Sequence, residues 1–151
     1  MATTTSAVQT VLVALRNQLR LRPGLADVTV LALPGKPEDL GRRHLVLATE
    51  IPSEQSYPFT SNNTKHESFN LNGAIGVVMP GAREDAALAA MTAAMAILGE
   101  LEACLREGPW IGGTALVSEL TEFTHTPGVT DIGRYHEITF TVRVQARLVS
   151  S

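Results

Sequence analysis

The sequence predicts an α+β fold in which two helices pack on one face of a mostly antiparallel β-sheet, with a long polar loop or hairpin arm. Residues 135–148 alternate apolar and polar side chains with a period of two, as expected of a strand with one buried and one solvent-exposed face. Residues 7–20 and 82–107 carry apolar residues at helical spacing. Residues 52–70 sustain neither period, which is uncommon for so long a segment inside a compact domain.

The first half of the chain predicts one helix followed by short strands. The helix is expected from about Ala7 to Arg20, with Ser6 and Gln9 at the spacing of a capping box and Pro23-Gly24 ending it. Apolar runs bounded by Pro or Gly predict strands near residues 28–33, 44–51 and 74–79. The intervening segment 52–70 is interpreted either as a protruding arm that orders on assembly or as a disordered surface loop.

The second half predicts a long helix over residues 82–107 and two further strands. Alanines along this helix permit close approach to a sheet or another helix, and Gly99 is interpreted as such a contact, while Trp110 is expected to cap the helix end. A fourth strand is predicted at 115–120, a connecting loop at 124–133, and the alternating strand then closes a single domain of residues 1–151. The apolar stripe of the long helix is predicted to contain Leu88, Met91, Met95, Leu98, Leu101 (or Glu102 on the neighbouring stripe) and Leu105.

Composition argues against several functional classes. The net charge of -3 and pI near 5.8 provide no general attraction to phosphate backbones or anionic lipids. One cysteine, Cys104, excludes an internal disulfide and a cysteine-rich zinc site. No basic segment followed by an apolar core opens the chain, and no apolar run approaches the roughly 20 residues that span a bilayer. We therefore expect a soluble protein made in a cytoplasm, with no membrane partner.

The sequence contains no motif typical of catalysis or cofactor binding. His44, His66, His125 and His136 are scattered, with no helical i, i+4 pair and no familiar metal-ligand spacing. Neither 73–76 nor 108–113 is followed by the Lys-Ser/Thr of a phosphate loop, and no serine lies in a Gly-x-Ser-x-Gly elbow. The chain is predicted to have no enzymatic activity, no metal and no cofactor, and to act by contact with other molecules.

Several segments together suggest a family. They are the helix ending in Leu-Arg-Pro-Gly-Leu25, the strand with Val28 and Val30, the helix after Pro80-Gly-Ala-Arg83 and the closing strand 135–147. In element order and character the chain resembles the tail terminator (tail completion) proteins of long-tailed bacteriophages. Its Ala-rich, Arg-bearing composition looks like that of a tail terminator protein from a phage with an actinobacterial host.

The resemblance implies a virion structural protein that is present in the host cytoplasm during assembly. In that family the fold is a small α+β sandwich, and six copies form a ring that caps the tail tube, halts its growth and presents a docking face to the head connector. The implied partners are further copies of the chain, the tail tube protein and the head-tail connector protein. Genomic DNA is expected to pass through the lumen without specific binding, and the family has no catalytic residues to transfer.

Candidate interface residues come from the arm, the basic start of the second strand and the polar face of the last strand. They are Arg42, Arg43, Tyr57, Phe59, Lys65, His66, Arg143, Gln145 and Arg147. Two alternatives stay open. One is a head-closure or neck connector protein, which binds the portal side. The other is a small cytoplasmic ligand-binding domain or enzyme, with Trp110 and Tyr135 lining a pocket between helices and sheet.

Overall fold

The computed structural model describes residues 5–56 and 64–149. The predicted α+β class is confirmed, because two long helices pack on one face of a mostly antiparallel sheet and share one core with it. A third, four-residue helix has no buried residues. A single 3₁₀ turn, Pro23–Leu25, follows the first helix. In chain order the elements are α1 (Val8–Arg20), β1 (Thr29–Leu31), α2 (Pro37–Leu40), β2 (Arg43–Glu50), β3 (Ser53–Ser56), β4 (Thr64–Met79), α3 (Glu84–Glu107), β5 (Val117–Thr130) and β6 (Gly133–Val149).

The sheet is organised around the antiparallel pair β4 and β6. Their pairing runs from Thr64 opposite Val149 to Met79 opposite Arg134. β2 and β3 follow one another along the other side of β4, and β1 pairs in parallel with β2. The strand order β1-β2-β4-β6-β5 therefore places β1 at one edge and β5 at the other, with β3 beside the first part of β4.

The predicted connecting loop at 124–133 is wrong. β5 continues to Thr130, and Thr124 lies opposite Thr139 in a regular antiparallel ladder with β6. The Thr-Pro-Gly at 126–128 resembles a loop signal, but an edge strand tolerates a proline because its outward-facing N–H has no ladder partner to lose. The turn is confined to Asp131 and Ile132, so β5 and β6 form one long hairpin.

The polar segment 52–70 is ordered as strands in its described parts. β3 pairs with the start of β4, where Ser53 lies opposite Phe69 and Ser56 opposite His66. Within these parts the disordered-loop interpretation is wrong, because residues 53–56 and 66–69 form an antiparallel pair of strands. Residues 57–63 lie outside the described part. The period of two was hard to detect because a buried position, Glu67, holds a charged side chain.

The core lies between this sheet and the two long helices. On β6 it contains the residues predicted to face inward: Ile138, Phe140, Val142, Val144, Ala146 and Leu148. On α3 the buried residues are Ala90, Ala94, Ile97, Leu98, Leu101, Cys104 and Leu105. The predicted stripe of α3 is therefore partly wrong, since Leu88 and Met95 are 54% and 50% exposed. The small side chains of Ala90 and Ala94 face the core there and bring the helix backbone close to the sheet.

Helix α3 is also long and apolar enough to cross a membrane, judged by its 24 residues and a mean hydropathy of 1.6. This corrects the expectation that no apolar run approaches such a length. The core helix of a soluble protein passes the same test, and α3 contributes Ile97, Leu98 and Leu101 to the core beneath it.

The start of α1 is capped from another strand. The capping box predicted at Ser6 and Gln9 does not form; instead the buried carboxylate of Glu67 accepts the Ala7 N–H at 2.7 Å and the Ser6 hydroxyl at 2.7 Å. Gln55 on β3 donates its side-chain amide to the same carboxylate at 2.9 Å. A negative charge at a helix N-terminus satisfies free N–H groups and complements the helix dipole. Glu67 thereby joins α1, β3 and β4.

We expect Glu67→Ala to lower the free energy of unfolding by about 2 to 3 kcal/mol, because buried donors to a charged acceptor lose their partner. Urea unfolding checks this change. Glu54→Ala on β3 removes an exposed carboxylate nearby and should change stability by less than about 0.5 kcal/mol. Equal effects of the two substitutions would contradict the role given to Glu67.

We also expect Gly99→Ala to raise stability by about 0.5 to 1 kcal/mol, because an added Cβ there meets nothing within 4 Å and alanine favours a helix. The interpretation of Gly99 as a close contact is wrong. Gly73→Ala should do the opposite, since its Cβ would collide with the Phe140 ring and with the carbonyl oxygens of Val46 and Leu47. Thermal unfolding of both variants tests the pair, and a stabilising Gly73→Ala would contradict the packing described here.

Candidate assembly surface

One face of the sheet is not covered by α1 or α3, and we call it the open face. Its centre is hydrogen-bonded within the chain: Thr141 donates its hydroxyl to Asn72 Oδ1 at 2.9 Å, and Thr49 donates to the Asn72 carbonyl at 3.0 Å. A shallow groove of about 480 Å³ crosses this face between β3 and β5. Its polar lining includes Ser53, Glu54, Ser68, Asn70, Glu122, Thr141 and Arg143. The open face is thus a fixed polar surface.

Four of the predicted interface residues lie together on the open face, at the end of the sheet where the arm begins. His66 is opposite Arg147, and Ser68 is opposite Gln145. Arg143, Gln145 and Arg147 are all exposed, as the alternation of β6 predicted. The observed pairing makes these three residues and His66 neighbours on one polar surface.

The other predicted interface residues lie elsewhere. Lys65 is opposite Leu148, a core residue, and so has the opposite orientation to His66. Arg42 precedes β2 and Arg43 begins it at the far end of the sheet, where Arg43 forms an ion pair with Asp27 at 3.1 Å. Tyr57 and Phe59 lie outside the described residues. The nine candidates therefore do not form one surface.

Two histidines treated as scattered in the sequence are in direct contact. His125 Nδ1 and His136 Nε2 are 2.7 Å apart, so one ring donates and the other accepts. His136 is buried, and this burial, together with the neighbouring His125, lowers its pKa. Sequence reasoning missed the pair because the predicted loop concealed the β5–β6 hairpin that aligns them.

Another set of titratable side chains, Tyr135, Glu137 and His44, lies on the open face around Gly76. The Tyr135 hydroxyl donates to Glu137 Oε2 at 3.0 Å, and burial and this hydrogen bond raise the pKa of Tyr135 to about 12. The His44 ring occupies the space over Gly76, and its buried Nδ1 has no hydrogen-bond partner among the described residues. Burial lowers the pKa of His44 against an opposing effect of Glu137. Among the described residues no group of three or more His, Cys, Asp and Glu could hold a metal ion.

The expected cap by Trp110 is wrong, because this side chain is 59% exposed. The apolar residue buried after α3 is Ile111. Tyr135 lies on the open face, whereas Trp110 follows a helix packed on the opposite face. The two residues therefore do not line a common pocket between helices and sheet.

No protein-family model matches this chain, and no curated protein matches it. The features of the molecule that bear on function are the paired strands of the arm, the open polar face and the two strand edges of the sheet.

Stability should fall as the pH drops below about 6.5, the pKa of an unperturbed histidine. Folding lowers the pKa of His136 and His44, so between the lowered values and 6.5 the unfolded chain binds more protons. The stability contributed by the neutral rings is complete above this window and is lost as the pH falls through it. Urea unfolding at several pH values measures the slope of the unfolding free energy against pH.

His136→Gln should reduce that pH dependence but not abolish it, because His44 still contributes. His66→Gln, at the other end of the sheet, serves as the matched control and should leave the slope unchanged. A slope that survives intact in His136→Gln would contradict the assignment.

Proposed function

We propose that this protein is a virion structural protein of the tail-terminator type, whose copies form a ring that caps the tail tube, ends its polymerisation and joins the tail to the head connector. The paired strands in the described parts of the arm are the observation that carries the proposal. β3, the start of β4 and the end of β6 form a three-stranded extension that Glu67 attaches to α1. Such an extension can contact another chain without the free-energy cost of ordering a flexible segment.

The open face supports the same role. Arg143 and Arg147 are exposed and form no ion pair with a described residue. Glu119 is the cross-strand neighbour of Arg143, but no described residue holds either arginine in an ion pair, so both can reach acidic groups of a partner, where they favour a correct orientation and a fast encounter. The surrounding Thr and Asn side chains already bond to each other, so a partner meets a fixed surface.

The net charge of -3 per copy is multiplied in a ring. An acidic lumen repels phosphates, so genomic DNA would pass through it without specific binding. A head-closure or neck connector protein would use the same surfaces, and the partner separates the two: the tube protein for a terminator, the portal side for a closure protein.

Electron microscopy of the protein mixed with tail tubes from the same virion tests the proposal. We expect rings at tube ends, and we expect Arg143→Glu and Arg147→Glu to weaken capping while changing stability by less than about 0.5 kcal/mol, since exposed charges contribute little to folding. Arg83→Glu, an exposed reversal at the start of α3, is the matched control and should cap normally.

Three results would redirect the assignment. Binding to portal complexes but not to tubes would support the head-closure alternative. Unchanged capping by both arginine variants would exclude the open face as the contact. Specific stabilisation of the lone monomer by a small metabolite would contradict the structural class.

A further inference from the structure

The contact between His125 and His136 joins the end of the edge strand β5 to its neighbour β6. His125 lies opposite Ile138, a core residue two positions along β6 from His136, so both rings are on the helix side of the sheet. His125 Nδ1 is 2.7 Å from His136 Nε2. The Phe123 ring packs edge-on against the His125 ring, at a centroid distance of 5.7 Å and an angle of 84°. The two strands are therefore joined there by side chains as well as by the backbone ladder.

The end of β5, residues 122–130, has few other contacts. Among the described strands this segment pairs with β6 alone. His125 and Gly128 are half-buried, and the other residues of the segment are exposed. A register shift after Leu120 separates the segment from the first part of β5, where Ser118 is buried. A strand segment without buried side chains belongs to the least stable part of a fold and opens most easily.

The two facing nitrogens can accommodate one added proton but not two. In a neutral pair, one ring donates its N–H and the other ring accepts it. If His125 is protonated, its Nδ1–H still donates to His136 Nε2, and the hydrogen bond becomes charge-assisted. If His136 is protonated as well, both facing nitrogens carry a hydrogen and both rings carry a positive charge. The attraction between the rings is then replaced by repulsion.

The two rings differ in burial, and this sets the order in which they are charged. His125 is half-buried, whereas His136 is 3% exposed. Burial and the neighbouring His125 both lower the pKa of His136. The first added proton is therefore expected on His125, where it leaves the contact in place. Only the second proton, on His136, breaks it.

No described carboxylate neutralises the doubly charged pair. The other charged or titratable side chains on the surrounding elements are Glu122, Arg134, Tyr135 and Glu137 on the hairpin strands and Glu84 and Asp85 on α3. Glu122, Tyr135 and Glu137 project to the open face, on the other side of the sheet. Arg134 donates to the Ala82 carbonyl, and β4 has the uncharged Val77 opposite His136. Among the described residues, His125 is the only charged group that shifts the pKa of His136.

We propose that the His125–His136 pair is a pH-sensitive switch, which keeps residues 122–130 on β6 while at most one ring is charged and releases them when both are charged. The segment then opens from the register shift after Leu120, and the outer edge of β6 is uncovered. The rest of the sheet stays paired, because β4 binds β6 along its other side. The switch does not depend on the function proposed above.

Hydrogen exchange measured by mass spectrometry tests the switch, with labelling times scaled to the intrinsic exchange rate at each pH. Between about pH 7.5 and about pH 5, the range in which histidines become charged, residues 122–130 should exchange at least about tenfold faster relative to that intrinsic rate. Residues 64–79 of β4 should change by less than about twofold, because they stay paired with β6.

Two variants separate the pair from other histidines. His125→Gln keeps a hydrogen-bonding side chain but cannot become charged, so residues 122–130 should stay protected at the lower pH. His66→Gln, at the other end of the sheet, is the matched control and should open as the unmodified protein does. Nitrogen-15 NMR of the imidazole rings reports their charge, and the loss of protection should coincide with the charging of the second ring.

Three results would overturn the switch. One is unchanged protection of residues 122–130 in the unmodified protein once both rings are charged. Another is an equal loss of protection in residues 64–79, which indicates global unfolding. The third is a His125→Gln variant that opens only at the lower pH. The first criterion uses the unmodified protein alone, so it decides the matter even if His125→Gln is open at every pH.

Discussion

The pairing of β4 with β6 along their full length is the constraint on which the rest of the structure depends. The first part of β4 pairs with β3, its second part pairs with β2, and β6 pairs with β5 on its other side. Because side chains alternate between faces, this single register places Phe69 and Ile138 under the helices and Arg143 in solvent. A shift by one residue would exchange the faces and place the arginines of β6 in the core. The core and the open face are consequences of one alignment.

Within that register, Glu67 is a charged residue at a core-facing position. A buried carboxylate is costly unless donors surround it, and here a backbone N–H, a hydroxyl and an amide provide them. Along β4 the buried apolar side chains end at Phe69. At the next core-facing position, the carboxylate of Glu67 contacts the start of α1. The arm is therefore part of the domain, because its strands share buried hydrogen bonds with the first helix.

A helix or strand can be predicted well when its own residues show the helical or strand period of apolar side chains throughout. β6 and α1 have such periods, and so the exposure of Arg143, Gln145 and Arg147 was predictable from alternation alone. The end of β5 and the start of β4 could not be predicted as strands in this way. Their pairing with β6 outweighs the loop-like composition near Pro127 and the polar residues before Phe69. The contact of His125 with His136 depends on the register of the β5–β6 hairpin, and neither residue signals it alone.

An exposed edge strand must resist uncontrolled aggregation, and β5 has features that oppose it. Pro127 and the irregularity after Leu120 prevent a continuous shared sheet, and acidic side chains repel identical edges. Contact with another chain at this edge would therefore be made through side chains, and it would weaken as salt screens the acidic groups.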